Sequence, residues 1–586
     1  MSVRCLLLPF FLLLVACEVD EPIYTVPDAP EIGTGYTEKP GWEFIETAAT
    51  AAHPLAADAG HQILEAGGSA VDAAIAMQMV LTLVEPQSSG IGGGAFLMHF
   101  DGTEVTAFNG RETAPMAADV GLFLDADGDP YSFQEAVASG LSVGTPGTIA
   151  MLAEAHRVHG TLPWSSLFEP AIALARDGFP VSPRLHALLD NDPHMARDAF
   201  YYDNGEPWPV GHLLQNPALA HVLERVAEEG ISAFYHGPVA EDIVARVRAH
   251  PERPGLLELE DLARYPDLPV QVDPICTSWR EWELCGFPPP SSGHLAVAQI
   301  LGILDAVEGG DAPIDDLPDP DWLHLYAEAS RLAYADREQY VGDPDFVAAP
   351  GGSWTSMLDP DYLAERAGLI GDRSMGEAEA GIPPGTEVAW SRHPVQIEGG
   401  TSHLSVVDAQ GNAVSMTMTI EQGFGSRIIS DGGSGLEGGF LLNNELTDFA
   451  RVPADPPVAN RVEAGKRPRS SMSPTLVLRD GAFVAATGSP GGAAIIHYTA
   501  QSILGMLQWG LTPQEATDLP NFAIYNSPTT TLERDRFPAS FREALEARGH
   551  QVSEGALTSG VHAILRTETG WLAGADPRRE GEARGR

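Results

Sequence analysis

T-S-H-L-S-V-V-D-A-Q-G-N-A-V-S-M-T-M-T-I (401–420), preceded by Gly399-Gly400, alternates like a strand, turns, and alternates again. The pattern predicts two paired strands with a threonine at the very start of the first. A cut between Gly400 and Thr401 would leave one residue carrying both a hydroxyl and a free α-amine. Nucleophile and general base then arrive together, and no separate histidine is needed. The two glycines permit the backbone strain required for Thr401 Oγ to attack the Gly400 carbonyl, after which an N-to-O acyl shift and water would open the chain.

Upstream, residues 55–84 carry Ala, Ile, Leu and Met at helical spacing, broken at Gly67-Gly68 and stopped at Glu85-Pro86, which predicts two core helices. The glycine-rich stretch Gly90–Gly94 precedes a strand candidate, Ala95–Phe100, and a second follows at Glu104–Phe108. No Lys-Ser/Thr follows these glycines, so tight backbone packing explains them better than a phosphate loop does. From about 146 to 375 helical patterns dominate, as in Ile149–Val158, Leu167–Asp177, Ala218–Glu228 and Pro238–Ala249, and read as one continuous helical layer. Beyond Thr401 strands return at Thr475–Leu478 and Ala482–Thr487, then a helix from Ile495 to Trp509. No period repeats, and no linker divides the body into independent domains.

The 586 residues are 44% hydrophobic, enough for a large α/β core, and 81 acidic against 34 basic residues give a net charge of -47. Such a surface repels nucleic acid and anionic lipid headgroups. The opening M-S-V-R-C-L-L-L-P-F-F-L-L-L-V-A-C has one positive charge, an apolar run too short to span a bilayer, and small residues at a cleavage point, as in a secretion signal. Leu14-Val15-Ala16-Cys17 also resembles the bacterial lipoprotein signal, with Cys17 as the lipidated residue; under ordinary signal cleavage Cys17 would be incidental. Residues 1–17 are thus a signal and 18–40, acidic and Pro-rich, a flexible tether. Cys276 and Cys285 flank S-W-R-E-W-E-L in a short hairpin pattern. They pair if their Cα atoms come within roughly 7 Å, contributing about 2–3 kcal/mol, or else remain two buried thiols.

G-R-E-T-A-P (110–115), G-T-P-G-T (144–148), P-P-P-S-S-G (288–293), Y-A-D-R-E-Q-Y-V-G-D-P-D-F (334–346), T-S-H-L-S-V-V-D (401–408), L-L-N-N-E-L-T-D-F (441–449), R-P-R-S-S-M-S-P-T (467–475) and G-S-P-G-G (488–492) together resemble the γ-glutamyltransferases, or glutathione hydrolases, of the N-terminal nucleophile hydrolase superfamily. The resemblance implies a four-layer αββα sandwich built by two interlocked subunits of one precursor, a large subunit 41–400 and a small catalytic subunit 401–586. It implies Thr401 as the nucleophile, Thr419 as the threonine that orients it, and the N–H groups of Gly491 and Gly492 as oxyanion donors. Loss of one such donor costs on the order of 3 kcal/mol. It further implies Arg111, with Ser470 and Ser471, on the substrate α-carboxylate, since a guanidinium matches carboxylate geometry. Asp448 and Glu445 would receive the α-ammonium, each charge-assisted contact contributing roughly 1.5–3 kcal/mol.

Two features depart from the family. Glu421 stands where relatives have an asparagine that contacts the substrate head, and the lid segment Ala450–Lys466 has no aromatic residue, which predicts an open site where hydrolysis outpaces transfer. Expected partners are γ-glutamyl compounds such as glutathione, amino-acid or dipeptide acceptors, and the membrane only through the lipid anchor. The expected location is the periplasm or cell surface, and no cofactor or metal is needed. Gly140-Leu141-Ser142-Val143-Gly144 matches the serine-hydrolase G-x-S-x-G, but a helical pattern precedes it where that motif needs a strand. The eighteen histidines form no H-E-x-x-H, and His403 reads as a scaffold residue. Two rival readings stand: an acylase of the same fold acting on β-lactam side chains, and an inactive surface lipoprotein that binds γ-glutamyl peptides.

Overall fold

The alternation in 401–420 becomes the centre of a seven-stranded antiparallel sheet in the computed structural model, which describes residues 35–314, 317–386, 390–393 and 399–586. The signal, Cys17 and most of the tether lie outside the described residues. In chain order the strands of the two large sheets are β1 (Trp42–Phe44), β2 (Ala48–Ala51), β3 (Gly94–Phe100), β4 (Val105–Asn109), β5 (Gln271–Val272), β6 (Ile275–Trp279), β7 (Trp282–Gly286), β8 (Thr401–Val407), β9 (Ala413–Thr419), β10 (Thr475–Arg479), β11 (Ala482–Thr487), β12 (His562–Arg566), β13 (Trp571–Ala575) and β14 (Glu582–Gly585). One sheet runs β1-β13-β12-β11-β10-β7-β6, the other β14-β2-β8-β9-β3-β4-β5.

The period-two pattern assigns the layers. Leu404 and Val406 of β8 pack with Met416 and Met418 of β9 against helices α1 (Pro54–Glu65) and α2 (Ala70–Val84). Val407, Ala413, Phe96 and Met98 face the other way, meeting Leu476, Leu478 and Phe483 of the second sheet. Val477, Ala485 and Ala563 on that sheet's far side pack under α3 (Gly293–Asp305), α4 (Pro320–Tyr340) and α5 (Ile495–Ile503). The result is an αββα sandwich. Strands before and after residue 400 alternate within both sheets: β14 and β8–β9 with β2 and β3–β5 in one, β10–β13 between β1 and β6–β7 in the other.

The break between α1 and α2 falls at Gly67-Gly68 as expected, and Ser69 with Asp72 forms a capping box that starts α2. Three expectations resolve differently or remained open. The helices between 146 and 375 do not form one layer: those from 148 to 248 cover the β8 sheet, while α3 and α4 cover the other, because the β6–β7 hairpin carries the chain across. The helix expected to reach Trp509 is α-helical only to Ile503 and continues as a wider π turn at Leu504–Gln508. That turn seats Gly505 against Ala516, where a Cβ would lie 2.6 Å away, and lets the Trp509 indole donate to the Ala312 carbonyl at 3.1 Å. Cys276 and Cys285 face each other across β6 and β7, Cα atoms 4.0 Å apart, and are joined as a disulfide.

Candidate active site

Thr401 is the first residue of β8, opposite Thr419 at the end of β9, which in turn pairs with Gly94 at the start of β3. Its side chain belongs to the face turned toward the second sheet, as do His403 and Ser405. His403 bonds Thr417 at 2.8 Å and Ser405 donates to the His562 carbonyl. Burial holds His403 well below the ordinary histidine range, so it is a neutral scaffold residue.

Three hydrogen bonds converge on one hydroxyl. Thr401 Oγ1 donates to Thr419 Oγ1 at 3.2 Å, Thr419 Oγ1 donates to the Gly400 carbonyl at 3.0 Å, and the Glu421 N–H donates to Thr419 Oγ1 at 2.8 Å. The hydroxyl of Thr419 therefore ties the Thr401 hydroxyl to the carbonyl of the residue just before it. Gly400 has φ +85°, and a Cβ there would lie 2.6 Å from the Gln422 backbone, so only glycine fits between Thr401 and the 421–423 turn. Gly93 serves the same purpose from behind: a Cβ would lie 2.1 Å from the Thr419 carbonyl oxygen. The Thr401 carbonyl accepts from Arg579 at 3.0 Å, which fixes the strand end.

Arg111, just past β4, is fully buried and donates from Nε to the Pro468 carbonyl and from Nη2 to the Arg469 carbonyl and Asp448; Nη1 meets Glu445. Glu445 and Asp448 share one 3-10 turn, Glu445–Asp448. Burial opposes the charge on Arg111, but the Glu445 and Asp448 carboxylates outweigh it and hold the guanidinium protonated.

One cavity brings together Thr401, Thr419, Arg111, Glu421, Glu445, Asp448, Ser470 and Gly492, with Gly399 on its wall. Ser471 and Gly491 are not on that wall. Ser471 Oγ accepts from Arg337 at 2.6 Å, and Arg337 also donates to Ser292 Oγ. Gly491, at φ +130°, leads into the 3-10 turn Gly492–Ala494 that opens α5. The cavity is about 10 Å³, so the open site expected from the lid segment is not what the continuous chain shows. Asn460 of that segment closes in, donating to the Asp448 carbonyl at 2.6 Å. The Glu421 carboxylate is held by Asn444 Nδ2 at 2.6 Å and by Gln422 Nε2 at 3.2 Å.

The family profile described as Gamma-glutamyltranspeptidase matches residues 56–585. The chain belongs to the γ-glutamyltranspeptidase family. It is 37% identical over 540 residues to the glutathione hydrolase proenzyme of Escherichia coli K12, covering 89% of each chain, and 37% identical over 551 residues to that of Bacillus subtilis 168, covering 91% and 90%. Its fold matches the crystal structure of a cephalosporin acylase from Bacillus halodurans with TM-score 0.79, 28% identity, and coverage of 97% and 99%.

Several residues around this γ-glutamyltranspeptidase site escaped the sequence reading. Glu112 lies in the 110–115 motif and Arg337 in the 334–346 motif, so their positions were visible though their contacts were not. Arg579 sits in a polar C-terminal stretch with no periodic signal. His324, Glu328 and His550 place three metal-capable atoms within 4.8 Å of one another. Their geometry is that of a satisfied polar set, however: His324 Nδ1 and His550 Nε2 bond each other at 2.8 Å, and Arg331 is ion-paired with Glu328. Among the described residues no helix is long and apolar enough to cross a membrane.

Proposed function

We propose that this γ-glutamyltranspeptidase cuts its own chain before Thr401 and then hydrolyses γ-glutamyl amides such as glutathione, or transfers the γ-glutamyl group to amino acids and dipeptides. Maturation begins with Thr401 Oγ attacking the Gly400 carbonyl carbon. The C–N bond breaks, the hydroxyl proton ends on the departing nitrogen, and water opens the resulting ester. Residues before 401 form the large subunit and 401–586 the small one. The freed α-amine of Thr401 then takes the hydroxyl proton as Oγ attacks the donor's γ-carbonyl.

Gly491 and Gly492 N–H groups receive the oxyanion, at the N-terminal end of α5 where the helix dipole also favours negative charge. The leaving amine departs with the proton. The γ-glutamyl ester on Thr401 is released by water as glutamate or by an amine as a new γ-glutamyl amide. Arg111, with Ser470 and Ser471, takes the α-carboxylate, and Asp448, Glu445 and Glu421 surround the α-ammonium.

The observation that carries this reading is the Thr401–Thr419–Gly400 hydrogen-bond chain standing in the same cavity as the Arg111–Asp448 pair. Thr401→Ala tests it: the parent yields two fragments, the second beginning at Thr401, and releases glutamate from a γ-glutamyl anilide. The variant stays one inactive polypeptide. A variant that still matures and still turns over refutes the assignment, and an uncut, folded, inactive parent supports the γ-glutamyl-binding reading instead.

The likeness to a cephalosporin acylase favours one rival, deacylation of a glutaryl-β-lactam. Such a substrate has no α-ammonium to meet Asp448, so faster turnover of the γ-glutamyl anilide than of the glutaryl compound decides between them. Cys17 as a lipid anchor, with the enzyme held at the cell envelope, completes the proposal.

A further inference from the structure

Ser470 and Met472 stand on the wall of the active-site cavity, and Ser471 between them reaches away from it, toward a buried guanidinium. Arg337, on α4, donates from Nη2 to Ser471 Oγ at 2.6 Å and from Nε to Ser292 Oγ at 2.7 Å. Its own carbonyl accepts from Arg469 Nη1 at 3.2 Å, so α4 grips the 468–472 segment at two points. Ser292 closes the circuit. Its Oγ and its N–H both donate to the Ser470 carbonyl, each at 2.8 Å, and the Ser470 N–H donates to the Pro290 carbonyl at 2.9 Å.

The same short segment carries the groups that would meet a substrate carboxylate. Arg111 is aimed by the Pro468 and Arg469 carbonyls, at 3.1 and 2.8 Å. Ser470 Oγ accepts from the Met472 N–H at 3.2 Å, which leaves its proton to be donated into the cavity. Behind the segment the packing is close: a Cβ on Gly293 would lie 2.7 Å from the Ser471 carbonyl oxygen.

We propose that Arg337 is a positioning residue for head-group recognition: by holding Ser471 and Ser292 in one fork, it sets the 468–472 segment so that Ser470 and Arg111 meet the α-carboxylate together. The inference rests on the γ-glutamyl reading and gives its two serines different tasks. Ser470 offers its hydroxyl to the substrate, and the Ser471 hydroxyl anchors the segment that carries it. A guanidinium suits this place because its N–H groups diverge in a fixed plane toward two hydroxyls, and bonds from a charged donor are roughly twice as strong as neutral ones.

The test compares mature variants on a γ-glutamyl anilide and on a γ-aminobutyryl anilide, which keeps the amine and the acyl chain but has no carboxylate. Arg337→Met removes every donor of the fork and should raise KM for the γ-glutamyl compound roughly 10- to 100-fold, as for loss of one charge-assisted contact. Its kcat should stay within about threefold and its KM for the aminobutyryl compound within about twofold, the signature of lost binding to one part of the substrate. Arg337→Lys, a point charge able to reach one serine, should fall between. Ser471→Ala should raise the same KM, and adding it to Arg337→Met should cost less than about twofold more, because the bond is already gone.

Amide hydrogen exchange gives a readout free of activity: in Arg337→Met the N–H groups of Ser470 and Ser292 should lose protection while those of β8 and β9 keep theirs. Should Arg337→Met not mature, Ser292→Ala and Ser471→Ala each remove one arm of the fork and carry the same measurements. Equal losses on the two anilides, additive losses in the double variant, or unchanged protection at Ser470 overturn the proposal. A parent enzyme inert toward the γ-glutamyl anilide overturns the activity itself, and exchange at Ser470 and Ser292 then decides for or against the role of Arg337.

Discussion

Replacing Thr419 by valine removes one oxygen atom from the point where three hydrogen bonds meet, and keeps nearly everything else. Valine matches threonine in volume and strand preference, so the pairing of β9 with Thr401 and Gly94 survives. The Gly400 carbonyl loses its 3.0 Å donor, and the Thr401 hydroxyl loses its 3.2 Å acceptor. Removing one donor to a developing oxyanion costs about 2.7–4 kcal/mol, so maturation should slow by about 100- to 1000-fold.

The Glu421 N–H, bonded at 2.8 Å, is orphaned as well, with a separate stability cost of about 1–3 kcal/mol. Thr419→Ser retains the hydroxyl and should mature within about fivefold of the parent rate, since only a methyl group is lost. The assay is a denaturing-gel and mass-spectrometric time course of freshly made precursor, following the appearance of a fragment that begins at Thr401. A folded valine variant that matures with the parental half-time would refute the relay, as would a serine variant as slow as the valine one.

Two further outcomes follow from the same structure. Asp448→Asn removes a carboxylate bonded to Arg111 and is expected to lower kcat/KM for a γ-glutamyl anilide about 10- to 150-fold, mostly through KM, from one charge-assisted contact. Turnover of a glutaryl anilide, which has no α-ammonium, should fall far less; equal losses on both substrates would contradict the assignment. His562 is fully buried with neither ring nitrogen bonded, and burial lowers it to about 3. A depressed folded value means stability that is complete above the unfolded value near 6.5 and drains as pH falls toward 3, by up to about 1.4 kcal/mol per pH unit. Denaturant titrations of the uncleavable Thr401→Ala precursor should therefore flatten between about pH 6 and pH 4 when His562→Leu is added, and an unchanged slope would count against it.

The β8–β9 hairpin was legible in the sequence because its apolar residues alternate over two full strands and Thr401, the proposed nucleophile, sits at the boundary of that pattern. The proposed head-group residues were legible only through motifs: Glu445 and Asp448 lie 334 and 337 positions from Arg111 in the chain, and no local periodicity links them. The burial of Glu112, unlike its position in the 110–115 motif, was invisible for a physical reason. In a chain with net charge -47 an acid is ordinarily solvated, and nothing in its neighbours announces that glycines will pack over it. Arg579 was hidden likewise, since it donates to the backbone carbonyls of Thr401 and Ser559, which carry no side-chain signature. The division of the helices between two outer layers depended on where the β6–β7 hairpin crosses, which is a tertiary choice. The π turn after Ile503 depended on a close approach of Gly505 to Ala516 that composition does not encode.

The shuffled strand order has a consequence for the lifetime of the molecule. Neither product of the proposed cut would own a complete sheet, so each would expose half an interior if it left the other. Before scission, a melted polypeptide can search for its native state alone, at a rate independent of concentration. Afterwards the return path needs two molecules to meet and thread their edges together, and dilution works against them. The proposed nick before Thr401 would thus turn a single chain, able to refold by itself, into an assembly whose endurance is set by how slowly it first comes apart.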